Sequence, residues 1–478
     1  VAVTIQPARP GDLPPILLEA YGFTDRELQI VVMLARGLAT KQIARQLYLA
    51  PHTARDHLKA IFDKAGVNSR GELVGKLFSE HLLESMTADI AHAPVAAAAD
   101  FGDFEGRAWL NCAHQGPLPR VAVAAAEGAL ADKAAPHRIG DASFTEVPGR
   151  LRAALGRLVG VPADQLILGN STSYGLQLLV QGIDWRRGDE VLLVDGDFPA
   201  TIVPWLPLAE RGVRVRLLRP GGGALEAGQL EAELTPATRL FCSSWVFSFT
   251  GQQVDLAALG GVCRRAGVRF VVNGSQAVGA APLDLGALAV DGLVSCGFKW
   301  LCGPYATGFC WLRPDLAASL RNRPAYWLSH STQEDLGQAG ASRLRDELGA
   351  AAWDVFGTAN FLNFRPWTAS VEYLLGLGIE RVAAWDQALV ERFLQGLDPD
   401  RYQLVSPRQG SRRSTLVVFG HRQADQTGAL FERLTAAGVD VALRRGQLRV
   451  SPHLYNTEAD IDRALEVLGG RGAQVESG

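Results

Sequence analysis

The chain has 478 residues, 47% of them hydrophobic and 20% charged, and its 47 Lys and Arg against 50 Asp and Glu leave a net charge of −3. A balance so close to zero excludes a global electrostatic pull toward nucleic acid or a membrane surface. With neither a signal-peptide pattern nor an apolar run of about 18 residues, the chain is expected to be cytoplasmic and without a membrane partner. Six cysteines are scattered without metal-ligand spacing or a disulfide framework, so no metal is expected and the thiols read as small buried hydrophobes.

After a leader, residues 1–22, Leu28, Val31, Val32 and Ala35 recur at helical spacing. Gly37 breaks this run, a second short helix follows, and a third spans residues 52–64 and stops before Gly66. Residues 67–74 start a fourth. This pattern resembles the LuxR-type helix-turn-helix DNA-binding domain and assigns residues 23–84 to such a module. The resemblance puts the third helix in the major groove, with Thr53, Arg55 and Lys59 as candidate DNA contacts. Two features leave a packing appendage open beside a DNA-binding role. Residues 23–78 hold nine Lys and Arg against five Asp and Glu, which is only mildly basic, and Ala50 replaces the family's usual Ser cap at ~1 kcal/mol of helix stability. The Ala-rich stretch 85–104 reads as a linker.

Beyond the linker come Trp109-Leu-Asn-Cys-Ala-His-Gln-Gly-Pro, then Gly169-Asn-Ser-Thr-Ser-Tyr-Gly, then Asp197-Phe-Pro-Ala-Thr. Phe270-Val-Val-Asn-Gly-Ser-Gln is a strand-like run ending in polar groups, where α/β sheets bind ligands. Lys299 closes an apolar stretch at a Gly-rich corner, and it is one of six lysines in the chain, only two of which, Lys133 and Lys299, lie beyond residue 100. Condensation with a carbonyl cofactor needs an amine that can lose its proton, which arginine cannot supply. Phe356-Gly-Thr-Ala-Asn and Leu448-Arg-Val-Ser-Pro-His follow.

In this order the segments resemble the class V aminotransferase group of pyridoxal 5'-phosphate (PLP) enzymes, which includes cysteine desulfurases, kynureninases and isopenicillin N epimerase-like proteins. The resemblance implies PLP fold type I: a large α/β domain with a mostly parallel sheet over 105–360 and a small carboxyl-terminal α/β domain over 361–478, preceded by the all-α module. It makes Lys299 the Schiff-base residue, Ser171 and Thr172 the phosphate turn, Phe198 the ring-stacking residue and Arg449 the clamp on the substrate carboxylate. Asn273, Ser275 and Gln276 fall against the cofactor ring, with Gln276 near its hydroxyl. Gly357 and Thr358 are implied to reach the phosphate of a partner subunit, so a homodimer with a shared site is expected.

Departures from the family pattern bear on the reaction. Asn273 stands where an aspartate usually holds the pyridine nitrogen protonated, and a neutral amide supplies no such charge. Cys296 and Phe298 replace a hydroxyl residue and a His or Tyr. Classical transamination is therefore disfavoured. A C–S lyase or decarboxylating deaminase, like enzymes of antibiotic pathways in this group, an amino-acid epimerase, and a PLP-sensing regulator with a DNA-binding module all remain open. Residues 326–330, an aromatic cluster, fall where family members build the substrate pocket.

Overall fold

The computed structural model describes residues 22–35, 38, 40–47, 49–66, 97–221, 225–325, 348–357 and 360–469. The expected fourth helix, the aromatic cluster at 326–330 and Thr358 lie outside them. The chain divides into two compact units, Val1–Pro94 and Val95–Gly478.

In the first unit, α1 (Asp25–Ala35), α2 (Thr40–Gln46) and α3 (Pro51–Ala65) enclose a core of Phe23, Ile30, Val31, Leu34, Ile43, Leu47, Leu58 and Ile61. Ala50 makes no side-chain cap to α3, but Pro51 opens the helix at a position where its missing N–H costs nothing. Buried Glu27 on α1 accepts Lys64 Nζ of α3 at 2.6 Å. Arg55 and Lys59 are exposed on α3, and Thr53 is half-buried.

Among the described residues, the second unit is built on thirteen strands, of which β1 is Ala108–Trp109. Seven make the main sheet: β2 (Leu166–Gly169), β3 (Glu190–Val194), β4 (Arg214–Leu218), β5 (Thr238–Ser244), β6 (Arg269–Asn273), β7 (Gly292–Cys296) and β8 (Gly308–Leu312), in the order β2-β8-β7-β6-β5-β3-β4. Only β8 runs antiparallel to its neighbours. Val191 and Leu193 enter one apolar cluster and Leu192 and Val194 the other, as expected of a sheet buried on both faces. Its helices are α4 (Arg120–Ala134), α5 (Ser143–Val159), α6 (Thr172–Gly182), α7 (Pro199–Ile202), α8 (Ala227–Glu233), α9 (Leu256–Ala266), α10 (Pro314–Ser319) and α11 (Phe361–Leu377).

A second core is built by α12 (Ile379–Gly396), α13 (Gln426–Ala436), α14 (Glu458–Leu468) and a four-stranded antiparallel sheet of β9 (Tyr402–Leu404), β10 (Val417–His421), β12 (Ala442–Arg444) and β13 (Gln447–Val450). The short β11 (Val439–Asp440) pairs in parallel with β1, so Ala108 and Leu110 pack into this carboxyl-terminal core. The cores therefore divide differently from a cut at 361. Phe364, Trp367, Val371 and Leu374 of α11 pack with the main sheet, and Gly378, at φ 90°, separates α11 from α12. Ala108 and Leu110 have crossed to the other core.

One buried ion pair joins α12 to the main sheet's edge. Asp386 and His453 are both fully buried, with Asp386 Oδ2 2.8 Å from His453 Nδ1, while His453 Nε2 lies 3.0 Å from the Trp300 carbonyl oxygen. The Trp300 carbonyl can only accept, so Nε2 donates to it, and the Asp386 carboxyl on Nδ1 favours a doubly protonated ring. Burial alone would push its pKa down, but the Asp386 carboxylate outweighs it and lifts the ring to about 10. Removing one partner of such a pair strands a buried charge at a cost of about 3–5 kcal/mol. Asp386→Ala is expected to lose that much stability in urea denaturation, and an unchanged midpoint would show the pair to be energetically idle.

Candidate functional site

The site gathers at the carboxyl ends of the parallel strands, where chain reversal exposes side chains and backbone N–H groups. Lys299 sits in the turn that follows β7, and the backbone on either side of it is pinned. Gly116 N donates to Phe298 O at 2.9 Å, Cys302 N to Lys299 O at 3.0 Å, and Gly303 N to Gly297 O at 2.8 Å. A Cβ on Gly116 would strike the Lys299 carbonyl oxygen. The turn tightens at Cys302, which takes a left-handed φ of 48°, and its carbonyl accepts from Ser370 Oγ at 2.7 Å.

Lys299 Nζ lies 5.5 Å from the centroid of the Phe198 ring and 5.9 Å from that of Phe298. Burial pushes its ammonium pKa below the ordinary value; Cys296 opposes this and the Arg449 guanidinium adds to it. The neutral amine is thus favoured, as a nucleophile requires. Phe198 is 36% exposed, presenting a ring that a flat ligand could cover.

Asn273, buried at the end of β6, has its amide oriented by two bonds. Ser275 N donates to Oδ1 at 3.0 Å, and Nδ2 donates to Thr201 Oγ1 at 2.8 Å. Because Ser275 N can only donate, the amide is not free to flip. The network continues from Thr201 to Ser244 Oγ at 3.2 Å, and Ser244 Oγ donates to Asp197 Oδ1 at 2.6 Å. Burial raises the Asp197 pKa, opposed by hydrogen bonds from Ser244 and the Phe198 N–H. Ser275 Oγ also lies 2.7 Å from Thr172 Oγ1.

Ser171 caps α6 by accepting from Tyr174 N at 3.2 Å, leaving the first turn of an eleven-residue helix facing the site. Gly308 permits this cap to come close, since a Cβ there would lie 2.8 Å from Ser171 backbone atoms.

Gln276 is fully committed inside the protein. Its Nε2 donates to Ala113 O at 3.0 Å and Ser248 Oγ at 3.2 Å, while Oε1 accepts from Trp300 Nε1 at 3.0 Å. It orients the tryptophan next to Lys299 and has no free N–H for a ring hydroxyl. Arg449, 4% exposed, donates from Nη1 to Ser248 O at 3.3 Å, and its Nε has no acceptor. Burial, then Arg444, lowers its pKa to about 10.

The structure thus brings Phe198 beside Lys299, links Thr172, Ser275 and Asn273 by hydrogen bonds behind the Ser171 cap, and connects Gln276 with Arg449 through Ser248. Gly357 is exposed at φ 80°, with open space for 4 Å around the place a Cβ would occupy, and it makes no contact with this group. Thr53, Arg55 and Lys59 belong to the other unit. Sequence reasoning missed Thr201, Ser244, Asp197, Ser248 and the Asp386–His453 pair. These polar residues lie in or beside runs whose other members carry the sequence signal, and only the fold shows which of them meet. His114 was also missed; burial and then the charges of Arg444, Arg449 and Lys299 hold its imidazole below the ordinary pKa.

The residues fit PLP on observations internal to the chain: a desolvated amine, an open aromatic face, a capped helix start and an orphaned buried guanidinium N–H. Residues 121–464 match the family model "Aminotransferase class-V", and residues 22–77 match "Bacterial regulatory proteins, luxR family". Isopenicillin N epimerase of Streptomyces clavuligerus is 28% identical over 78% of this chain and 98% of its own length. A probable cysteine desulfurase of Methanothermobacter thermautotrophicus is 25% identical over 67% of this chain and 83% of its own. Among solved structures, the cystine C–S lyase C-DES in complex with cysteine persulfide superposes with a TM-score of 0.70 at 24% identity, covering 76% of this chain and 98% of that one. A mostly parallel sheet with a buried lysine at its ligand edge, and a family match across most of the chain, place this protein in the aminotransferase class-V family of PLP-dependent enzymes.

Proposed function

We propose that the chain is a lyase acting on an α-amino acid, releasing a β-substituent such as a sulfur group, in preference to transamination. The observation that carries this reading is the oriented amide of Asn273. Its Oδ1 is taken by Ser275 N and its Nδ2 faces the Thr201 hydroxyl, so the position under the ring nitrogen offers a neutral donor in place of a carboxylate.

Bound through Lys299, PLP supplies an electron-withdrawing ring that weakens bonds at the substrate Cα. Without a charge fixed at the ring nitrogen, electron density released at Cα is held less well. A reaction that passes it at once to a leaving group on Cβ suffers least. Lys299, whose ammonium form burial disfavours, is the base that takes the Cα proton, and Arg449 sets which bond stands perpendicular to the ring. Lys299, once it carries that proton, is the acid that returns it to the departing group, whereas His114, whose pKa is lowered by burial and then by the charges of Arg444, Arg449 and Lys299, is a poor donor. C-DES, which shares this fold, is itself a cystine C–S lyase, in keeping with this choice. The epimerase relative favours a second reading, inversion at Cα, and a decarboxylating deaminase is a third. We also infer a homodimer, since Tyr305 and Phe356 expose 67% and 61% of their surface, and Thr358 is proposed to reach a partner's site.

Loaded with PLP, the protein should absorb in the visible, Lys299→Ala should lose that band, and Lys133→Ala should keep it. Incubation with amino acids and cysteine S-conjugates is expected to yield pyruvate and ammonia from the conjugates. Carbon dioxide would point to the deaminase, and inversion alone to the epimerase. Asn273→Asp should raise keto-acid formation by transamination about tenfold, equal to ~1.4 kcal/mol of barrier; no rise would remove the argument from Asn273.

The match to LuxR-type regulators and the exposure of Arg55 and Lys59 on α3 support duplex DNA binding by the first unit. The full-length protein should then bind DNA with a salt-dependent affinity, and Arg55→Ala or Lys59→Ala should each reduce the log–log salt slope by about 1. A slope near zero would leave the module a packing appendage.

A further inference from the structure

The hairpin that carries Arg449 carries two more arginines, and its register fixes where they face. On β12 and β13, Ala442 pairs with Arg449, Leu443 with Leu448, and Arg444 with Gln447. Strand side chains alternate. Leu443 and Leu448 turn into the carboxyl-terminal core, so Arg444 and Arg449 share the opposite face, on adjacent strands. Arg444 is exposed, and its one hydrogen bond is from Nη1 to Leu443 O at 2.9 Å.

Arg445 holds the hairpin corner at φ 49°, and its guanidinium lies 3.8 Å from the centroid of the Phe249 ring. Phe249 packs on Phe198 with ring centroids 6.0 Å apart. A Cβ on Gly196 would sit 3.9 Å from Arg445 Nη1, so this side chain also reaches the segment that presents Phe198. A cation stacked on an aromatic ring is held in place without being neutralised.

Among the described residues, no carboxylate lies within ion-pair distance of Arg444, Arg445 or Arg449. At the foot of the same hairpin, by contrast, Asp440 takes Arg107 at 2.7 Å. Burial first, and then the neighbouring cations, Arg444 for both groups and also Arg449 and Lys299 for His114, lower the His114 and Arg449 pKa values. One substrate α-carboxylate satisfies Arg449, whose Nε is buried without an acceptor, and leaves two guanidiniums unmatched at the mouth.

We propose that the substrate is an amino acid whose side chain ends in a second anionic group, a carboxylate or similar acid, bound by Arg444 and Arg445 while Arg449 holds the α-carboxylate. This rests on the reading of the Lys299 site as an amino-acid site. It goes further by stating the charge of the side chain.

The test uses full-length, PLP-loaded protein and two near-isosteric probes, S-carboxymethyl-L-cysteine and S-carbamoylmethyl-L-cysteine, with Kd read from the change in visible absorbance and not from turnover. The carboxylate should bind at least tenfold more tightly than the amide. Arg444→Gln and Arg445→Gln should each cut that ratio, and together bring it below twofold, with the visible band before ligand addition confirming a folded, loaded protein. Equal affinities in the unsubstituted protein, or a ratio that survives both substitutions, would overturn the second-anion site and leave the amino-acid site standing. If neither probe perturbs the band, the proposal falls together with the reading beneath it.

Discussion

Every other part of the site takes its position from the immobility of the turn around Lys299. Its carbonyl oxygens are engaged one after another: Gly297 by Gly303, Phe298 by Gly116, Lys299 by Cys302, Trp300 by the His453 imidazolium and Cys302 by Ser370. The donors come from the entry segment, the turn itself, α11 and the loop after β13. A flexible four-carbon side chain is useful as a nucleophile only if its root does not move, and here the root is held from four directions. The imidazolium contact is the costliest of these to build, because a full charge must stay buried beside its carboxylate.

How much of this was legible in the chain depended on how local each signal was. Lys299, Ser171, Thr172 and Asn273 stand in short runs whose glycines and apolar flanks announce a turn or a helix start, and the structure brings all four to one sheet edge. Gln276 was legible as a position but not as a role, since its partners Ala113, Ser248 and Trp300 come from three other segments. The Asp386–His453 pair joins residues 67 positions apart, and no periodicity marks it. The boundary at 361 followed the Gly-Thr segment just before it, whereas α11 and the start of α12, through Ile379 and Val382, still pack with the main sheet. Ala108 and Leu110 are invisible to that kind of reading, because their partners lie more than 300 residues away.

Asn273 illustrates how one substitution draws on its surroundings. Thr201, Ser244 and Asp197 form a line of hydroxyls ending in a buried carboxylate that, among the described residues, has no cation beside it and whose pKa burial raises. A chain of hydrogen bonds thus ties Asn273 at the strand end to the acid preceding Phe198, and each of its polar groups is satisfied.

Gly308 has β2 on one side and β7 on the other, pairing with Gly169 and with Cys296. Two residues beyond Gly169 begins the capped helix, and three beyond Cys296 stands the lysine. The strand ends that lead to the capped helix and to the lysine are therefore two inter-strand spacings apart, about 10 Å, across a sheet that cannot stretch without breaking its ladder. In effect the sheet is a gauge. It sets how far apart the strand leading to the helix start and the strand leading to the lysine stand, and strand pairing fixes that spacing before any side chain is added.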